Sequence, residues 1–190
     1  MGLLAGCHSS SSSSGGASIT VSGTVGGEGL EFIDVGGFAS QGVGANGQFS
    51  SVSVFATSKF GACGWADQSN LSRANLTSFF MLIQNNGGTS PTPVTPGTYK
   101  LGFSTLNTDA GVNEQVNASL GSTDSSCMPV GFNGIQASQG TITLSSITKT
   151  QIAGSFDVSF YTMGDHLSGS FTAPVCTNVG AGMEAGACRP

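Results

Sequence analysis

Residues Gln151–Cys176, QIAGSFDVSFYTMGDHLSGSFTAPVC, decide the fold, because apolar and polar residues alternate there on both sides of a turn. Ile152, Gly154, Phe156, Val158 and Phe160 fall on one face, and Ala153, Ser155, Asp157 and Ser159 on the other. After Met163-Gly164-Asp165 the alternation resumes with Leu167, Gly169, Phe171, Ala173 and Val175. A period of two on both flanks of a Gly-Asp turn predicts a β-hairpin with one buried and one wet face. Pairing Tyr161 with His166 would put Phe156 opposite Phe171 and Phe160 opposite Leu167.

Upstream, the same reading gives strands over Ile19–Val25, Gln48–Ser58, Ala74–Gln84, Thr98–Ser104, Glu114–Gly121 and Gly140–Ile147. Within Gln48–Ser58, Val52, Val54 and Ala56 share a face opposite Phe49 and Phe55. Ala74–Gln84 is apolar on both faces, and its short length and Asn/Gly flanks favour a strand over a helix. Glu31–Ser40 is a further candidate, although Gly36-Gly37 suggests a bulge or loop as readily as a strand. A phase slip is expected before Ile147. Asn85–Gly97, with three prolines, reads as a connector, and Lys59–Arg73 as a loop. Eight or nine strands without a helical period predict an all-β fold, an antiparallel β-sandwich or an up-and-down β-barrel.

The chain has 190 residues, enough for one domain burying about 70% of its unfolded surface. Only 8% of residues are charged, and the net charge is -5. Five scattered Lys and Arg make no basic patch, which argues against nucleic acid as a partner. No apolar run of membrane-spanning length occurs.

Residues 1–16 differ in composition from the rest: a short apolar start, then Ser9–Ser14 and Gly15-Gly16, a soft tether, with the folded domain expected over 17–190. Leu4-Ala5-Gly6-Cys7 resembles the lipobox of bacterial lipoproteins. That resemblance implies lipidation at Cys7, and His8 after it points to the outer membrane. No basic segment precedes the motif and its apolar run is shorter than a signal core, so either translation starts further upstream or the match is accidental.

Five cysteines stand at 7, 63, 127, 176 and 188. Setting Cys7 aside leaves four, with three possible pairings. Cys127 with Cys176 and Cys63 with Cys188 is the expected one, since Cys127 and Cys176 both follow apolar strands. A local Cys176–Cys188 pair would merely close the tail. No C-x-x-C spacing occurs, so neither a metal site nor a cofactor is expected.

VTPGTYKL from Val94, the TDSSC segment ending at Cys127, GTITLSSI, IAGSFDVSF and GDHLSGSFTAPVC resemble a group of Gram-negative bacterial surface lipoproteins of unassigned function. The resemblance implies a lipobox, a low-complexity tether and an all-β domain, in that order. It also implies attachment to the cell envelope through a lipid anchor only, and it supplies no catalytic residues.

Residues able to do chemistry are sparse. His166 with Asp157, Asp165 and nearby serines invites a Ser-His-Asp reading, but G-x-S-x-G is missing and a hairpin tip accounts for the same residues. Glu28, Glu31 and Asp34 cluster without a calcium-loop pattern and read as a solvated turn. Trp65, Tyr99 and Tyr161 are the ligand-binding candidates, offering an apolar face with a polar handle. The expected role is therefore a non-catalytic envelope protein, structural or engaged with another envelope component. The alternative is a lipocalin-like barrel or sandwich taking a glycan or a small apolar ligand. A hydrolase ranks third.

Overall fold

The computed structural model describes residues 16–44, 47–63, 73–87, 92–107, 112–131, 134–162, 164–176 and 188. Eleven strands follow one another: β1 (Ser18–Val25), β2 (Glu28–Gly29), β3 (Asp34–Gly44), β4 (Gly47–Thr57), β5 (Thr77–Asn86), β6 (Gly97–Lys100), β7 (Gly102–Asn107), β8 (Val112–Ser122), β9 (Ile135–Ile147), β10 (Gln151–Phe160) and β11 (His166–Pro174). Nine lie side by side in the order β2-β1-β11-β10-β9-β8-β5-β4-β3, with antiparallel ladders throughout. The sheet curls into a half-barrel. Of the two architectures expected, this single curled sheet is nearer the barrel.

β6 and β7 replace the single strand expected over Thr98–Ser104. β8 and β9 pair only at Ser119–Gln136 and Leu120–Ile135, then splay. β6 runs in along β9, from Gly97 opposite Leu144 to Lys100 opposite Thr141. At Leu101 the chain turns, its amide donating to the Gly140 carbonyl at 2.9 Å. β7 then runs back out along β8, from Gly102 opposite Val116 to Asn107 opposite Val112. The two short strands form a V that satisfies both diverging edges, and buried Leu101 is its apex.

The β10–β11 hairpin forms with the expected faces but slides by two residues. Ser159 pairs with His166, Phe156 with Gly169, and Gly154 with Phe171. In this register each ring covers a glycine on the facing strand. A Cβ on Gly154 would lie 2.9 Å from Phe171 Cζ, and one on Gly169 would lie 2.9 Å from Phe156 Cζ. The longer turn this leaves is closed by the Phe160 amide on the Asp165 carbonyl, at 3.0 Å. The phase slip before Ile147 is present: pairing with β10 jumps from Ser146 to Leu144 and leaves Ser145 unpaired.

β3 passes without interruption through Gly36-Gly37. These residues are glycines because both faces of the strand are touched closely there. A Cβ on Gly36 would meet Phe55 Cζ at 2.7 Å and Cys176 Sγ at 2.9 Å, and one on Gly37 would meet Ile152 Cδ1 at 2.9 Å. This is where the curled sheet returns on itself. Gly37 and Val175 form a parallel bridge, and the Cys176 amide donates to the Gly37 carbonyl at 2.8 Å.

Inside, Phe79 of β5 reaches Phe156 of β10, ring centroids 5.0 Å apart, and Phe32 at 6.2 Å. Met81, Ile83, Leu120, Ile142, Leu144, Ile152 and Leu167 complete a core cluster built from both halves of the sheet. The buried polar groups have partners. Ser50 Oγ accepts from the Val94 amide, Asn85 Nδ2 donates to the Thr92 carbonyl, Thr57 Oγ1 donates to the Lys59 carbonyl, and Asp165 accepts from the Gly26 amide. Outside, hydroxyls run across five strands in register: Thr20, Ser170, Ser155, Thr143 and Thr98. Thr20–Ser170 and Thr98–Thr143 bond through their side chains at 2.9 and 3.0 Å. A nearly uncharged chain keeps this face wet with hydroxyls in place of charges.

Candidate functional site: a disulfide-braced rim

Three loops meet at one end of β3, β4, β5 and β8, and hydrogen bonds join them into one unit. Segment 58–63 follows β4. The Ser58 amide donates to the Thr77 carbonyl, and Lys59 Nζ reaches the Ala74 carbonyl at 2.6 Å. Segment 73–76 precedes β5, with the Asn75 amide on the Asp124 carbonyl and the Leu76 amide on Thr123 Oγ1. Segment 123–131 follows β8 and is folded around Asp124, whose Oδ1 accepts from the amides of Ser126 and Met128 at 2.8 and 2.9 Å.

Asp34 has a similar task at the entrance to β3. Its Oδ1 accepts from the Val35 amide at 2.9 Å, and its Oδ2 from the amides of Gly61 and Ala62 at 2.7 and 2.9 Å. A carboxylate committed to three backbone donors is a loop fastener. Glu28 and Glu31 are exposed, and among the described residues no cluster of His, Cys, Asp and Glu has the makings of a metal site.

Both disulfides attach to this rim, but not in the expected pairing. Cys63 joins Cys176, with Cα atoms 5.2 Å apart, and Cys127 joins Cys188 at 5.6 Å. The sequence-based expectation of Cys127–Cys176 and Cys63–Cys188 is therefore corrected. It placed Cys176 at a strand end without the return of the sheet, and it is that return which brings the end of β11 beside β3. Asp34 then holds Cys63 over the same point. Around Cys63–Cys176, Phe38 stacks on Phe55 at 5.4 Å and buried Ala62 completes a small apolar cluster outside the sheet.

The rim is also where exposed apolar side chains collect. Phe60 and Met128 are each 61% exposed, and Val130 belongs to the same loops. Tyr161, 72% exposed, comes next around the rim, since Phe160 pairs with Ala137 at the start of β9. Among the described residues, four of the five exposed large hydrophobics sit on these loops and turns; the fifth, Phe80, is on the outer face of β5.

The three ligand-binding candidates separate. Tyr161 is free to meet a partner. Tyr99 packs against the core, and its hydroxyl donates to the Thr95 carbonyl at 2.5 Å and accepts from the Thr95 amide at 3.2 Å, so it clamps its own loop. Trp65 lies outside the described residues, as does Cys7. His166 Nε2 lies 3.1 Å from Asp157 Oδ1, a pair open to solvent on the hydroxyl-rich outer face. Among the described residues no serine hydroxyl bonds to the His166 ring. Asp165 is buried and holds the β1–β2 turn against the β10–β11 turn through Gly26.

No family model matches this chain, and no curated protein or solved structure matches it. Two disulfides fit a protein that matures outside the reducing cytosol, in a cell envelope or beyond it. Phe60, Met128 and Val130 were not singled out from the sequence; isolated apolar residues in loops carry no periodic signal, and only the fold gathers them.

Proposed function

We propose that this protein is a non-catalytic lipoprotein of a bacterial envelope, anchored through Cys7 to the outer membrane, whose disulfide-braced rim engages another envelope protein. One observation carries the reading. β1 enters the fold at Ala17, beside the end of β11, and its 8 residues run about 26 Å before the rim-side turn that Asp165 holds. An anchor on the preceding residues attaches beside the Cys63–Cys176 disulfide, at the end of the β1–β11 half of the sheet away from Tyr161. The Leu4-Ala5-Gly6-Cys7 sequence and the two disulfides support the compartment. Exposed aromatic and thioether side chains on loops fixed by disulfides support a preorganised protein contact, because little entropy remains to be lost on binding.

A photo-crosslinking residue in place of Tyr161 or Met128, in the full-length protein in its own host, should capture a discrete envelope protein. The same residue in place of Lys149, in the turn at the far end of β10, should capture none. Equal capture at all three positions, or none at the rim, removes the reading.

Exposed Tyr161 also favours a second reading, a glycan stacked on its ring. An apolar ligand in the interior is less well supported, because Phe32, Phe79 and Phe156 occupy the space between the two halves of the sheet.

A further inference from the structure

The two disulfides differ in what surrounds them. Cys63–Cys176 is packed into the fold: Cys176 is buried, its amide donates to the Gly37 carbonyl at 2.8 Å, and Phe38, Phe55 and Ala62 cluster about the pair. Both sulfurs lie against Gly36, where a Cβ would stand 2.9 Å from Cys176 Sγ and 3.2 Å from Cys63 Sγ. Parting them means parting the end of β11 from β3, where the sheet closes.

Cys127–Cys188 has no such cover. Cys188 is exposed, and so are Ser125, Ser126, Met128, Pro129 and Val130 around Cys127. Among the described residues neither cysteine belongs to an apolar cluster, and Cys188 Sγ lies 3.8 Å from the Ser125 carbonyl oxygen. The segment that carries Cys127 owes its shape to hydrogen bonds. The Cys127 amide donates to the Asp124 carbonyl at 3.0 Å, the Asp124 amide to the Met128 carbonyl at 2.9 Å, and the Val130 amide to the Ser122 carbonyl at 3.0 Å, while Thr123 bridges Pro129. These bonds and the Asp124 carboxylate hold Cys127 at a φ of 61°, a left-handed conformation that a non-glycine residue keeps where its surroundings impose it. Cys127 therefore keeps its place whether or not its sulfur is bonded.

We infer that Cys127–Cys188 is a thiol-exchange site, taking a low-molecular-weight thiol at Cys188 with Cys127 as the resolving thiol. Exchange needs a thiolate to reach one sulfur in line with the S–S bond, so access decides which disulfide reacts. The incoming thiolate forms a bond to Cys188 Sγ, the Cys127–Cys188 bond breaks, and Cys127 leaves with the electron pair and takes a proton from water. Return attack of the Cys127 thiolate on Cys188 Sγ expels the small thiol and restores the disulfide. Attack by a second small thiol on the sulfur of the first instead releases their mutual disulfide and leaves both cysteines reduced. The inference rests on the surroundings of the two disulfides and does not depend on the envelope reading.

Incubation of the folded full chain with reduced glutathione, quenching by alkylation and peptide mapping without further reduction test it. Alkylated Cys127 and glutathione-bearing Cys188 are expected first, with Cys63 still linked to Cys176 and circular dichroism unchanged. In urea sufficient to unfold the chain, the two disulfides should open together. Cys127→Ser, which removes the resolving thiol, should keep glutathione on Cys188 after treatment with oxidised glutathione. Should that variant fail to fold, the order of opening in the unaltered chain carries the test. Opening of Cys63–Cys176 first or in step with Cys127–Cys188 in the folded chain, glutathione on Cys127 in place of Cys188, or no opening of either bond short of unfolding overturns the inference.

Discussion

Phe156 and Gly169 face each other across the β10–β11 ladder, and the Phe156 ring lies over the space where a Gly169 side chain would stand. Two residues along, the relation is inverted, with Phe171 over Gly154. The pair of ring-on-glycine contacts fixes the hairpin register. A slide of two residues one way would set Phe156 opposite Phe171, and the other way Gly154 opposite Gly169, and in both cases the glycines lose their covering rings.

Gly169→Ala should therefore destabilise the fold by about 2–3 kcal/mol, because the new methyl meets both the Phe156 ring and the Thr20 carbonyl of β1. Urea denaturation reads this as a lower midpoint with an unchanged slope. Gly29→Ala, where nothing lies near the added methyl, is the control and should shift the midpoint little. Similar midpoints for the two variants would disprove the register argument.

Asp34 ties the loop bearing Cys63 to the start of β3 through three backbone amides. Asp34→Ala strands those donors and should cost about 1–3 kcal/mol. Amide exchange should accelerate at Gly61 and Ala62 ahead of the core strands. Protection unchanged at those two amides would show that the carboxylate is not what holds the loop.

Peptide mapping without reduction should recover Cys63 linked to Cys176 and Cys127 linked to Cys188. Replacing either pair by serine should cost about 2–5 kcal/mol, with the larger loss for Cys63–Cys176, whose separation of 113 residues exceeds the 61 of the other pair. Recovery of a Cys127–Cys176 peptide would refute this connectivity.

Cys7→Ser in the full-length precursor should move the protein from the membrane fraction to the soluble envelope fraction. If the variant stays with the membranes, lipidation at Cys7 is not the anchor.

Much of the fold was legible in the sequence wherever one face is wet and the other dry. Ser18–Val25, Gly47–Thr57, Val112–Ser122 and both strands of the last hairpin stand close to where alternation puts them. Even the slip before Ile147 shows, because a bulge breaks the period. Less legible were features set by distant contacts. The hairpin register depends on ring-to-glycine packing that alternation cannot rank. The break of one strand into β6 and β7 follows from the divergence of β8 and β9, which Leu101 alone does not announce. Gly36-Gly37 looks like an interruption until β11 and the disulfide are laid against it. Cysteine pairing failed for the same reason, since it depends on how the sheet closes. At the candidate site, Tyr161 was found by residue type, while Phe60, Met128 and Val130 become a surface only when three loops converge.

The strand that begins the fold is held by the strand that ends it: Ser18 pairs with Thr172 and Thr24 with His166. A chain threaded through a membrane from its amino terminus would deliver β1 first and its partner last. Until β11 emerges, β1 has its ladder edge bare, and Cys63 has no Cys176 to oxidise with. Sheet closure is thus a late event, slowed by loop closure over nearly the whole chain. During that interval the half-made sheet is open to chaperones, to premature oxidation of Cys63 with Cys127, and to capture by other nascent strands. Secretion rate and thiol-isomerase supply would then limit the yield of native protein more than its final stability does.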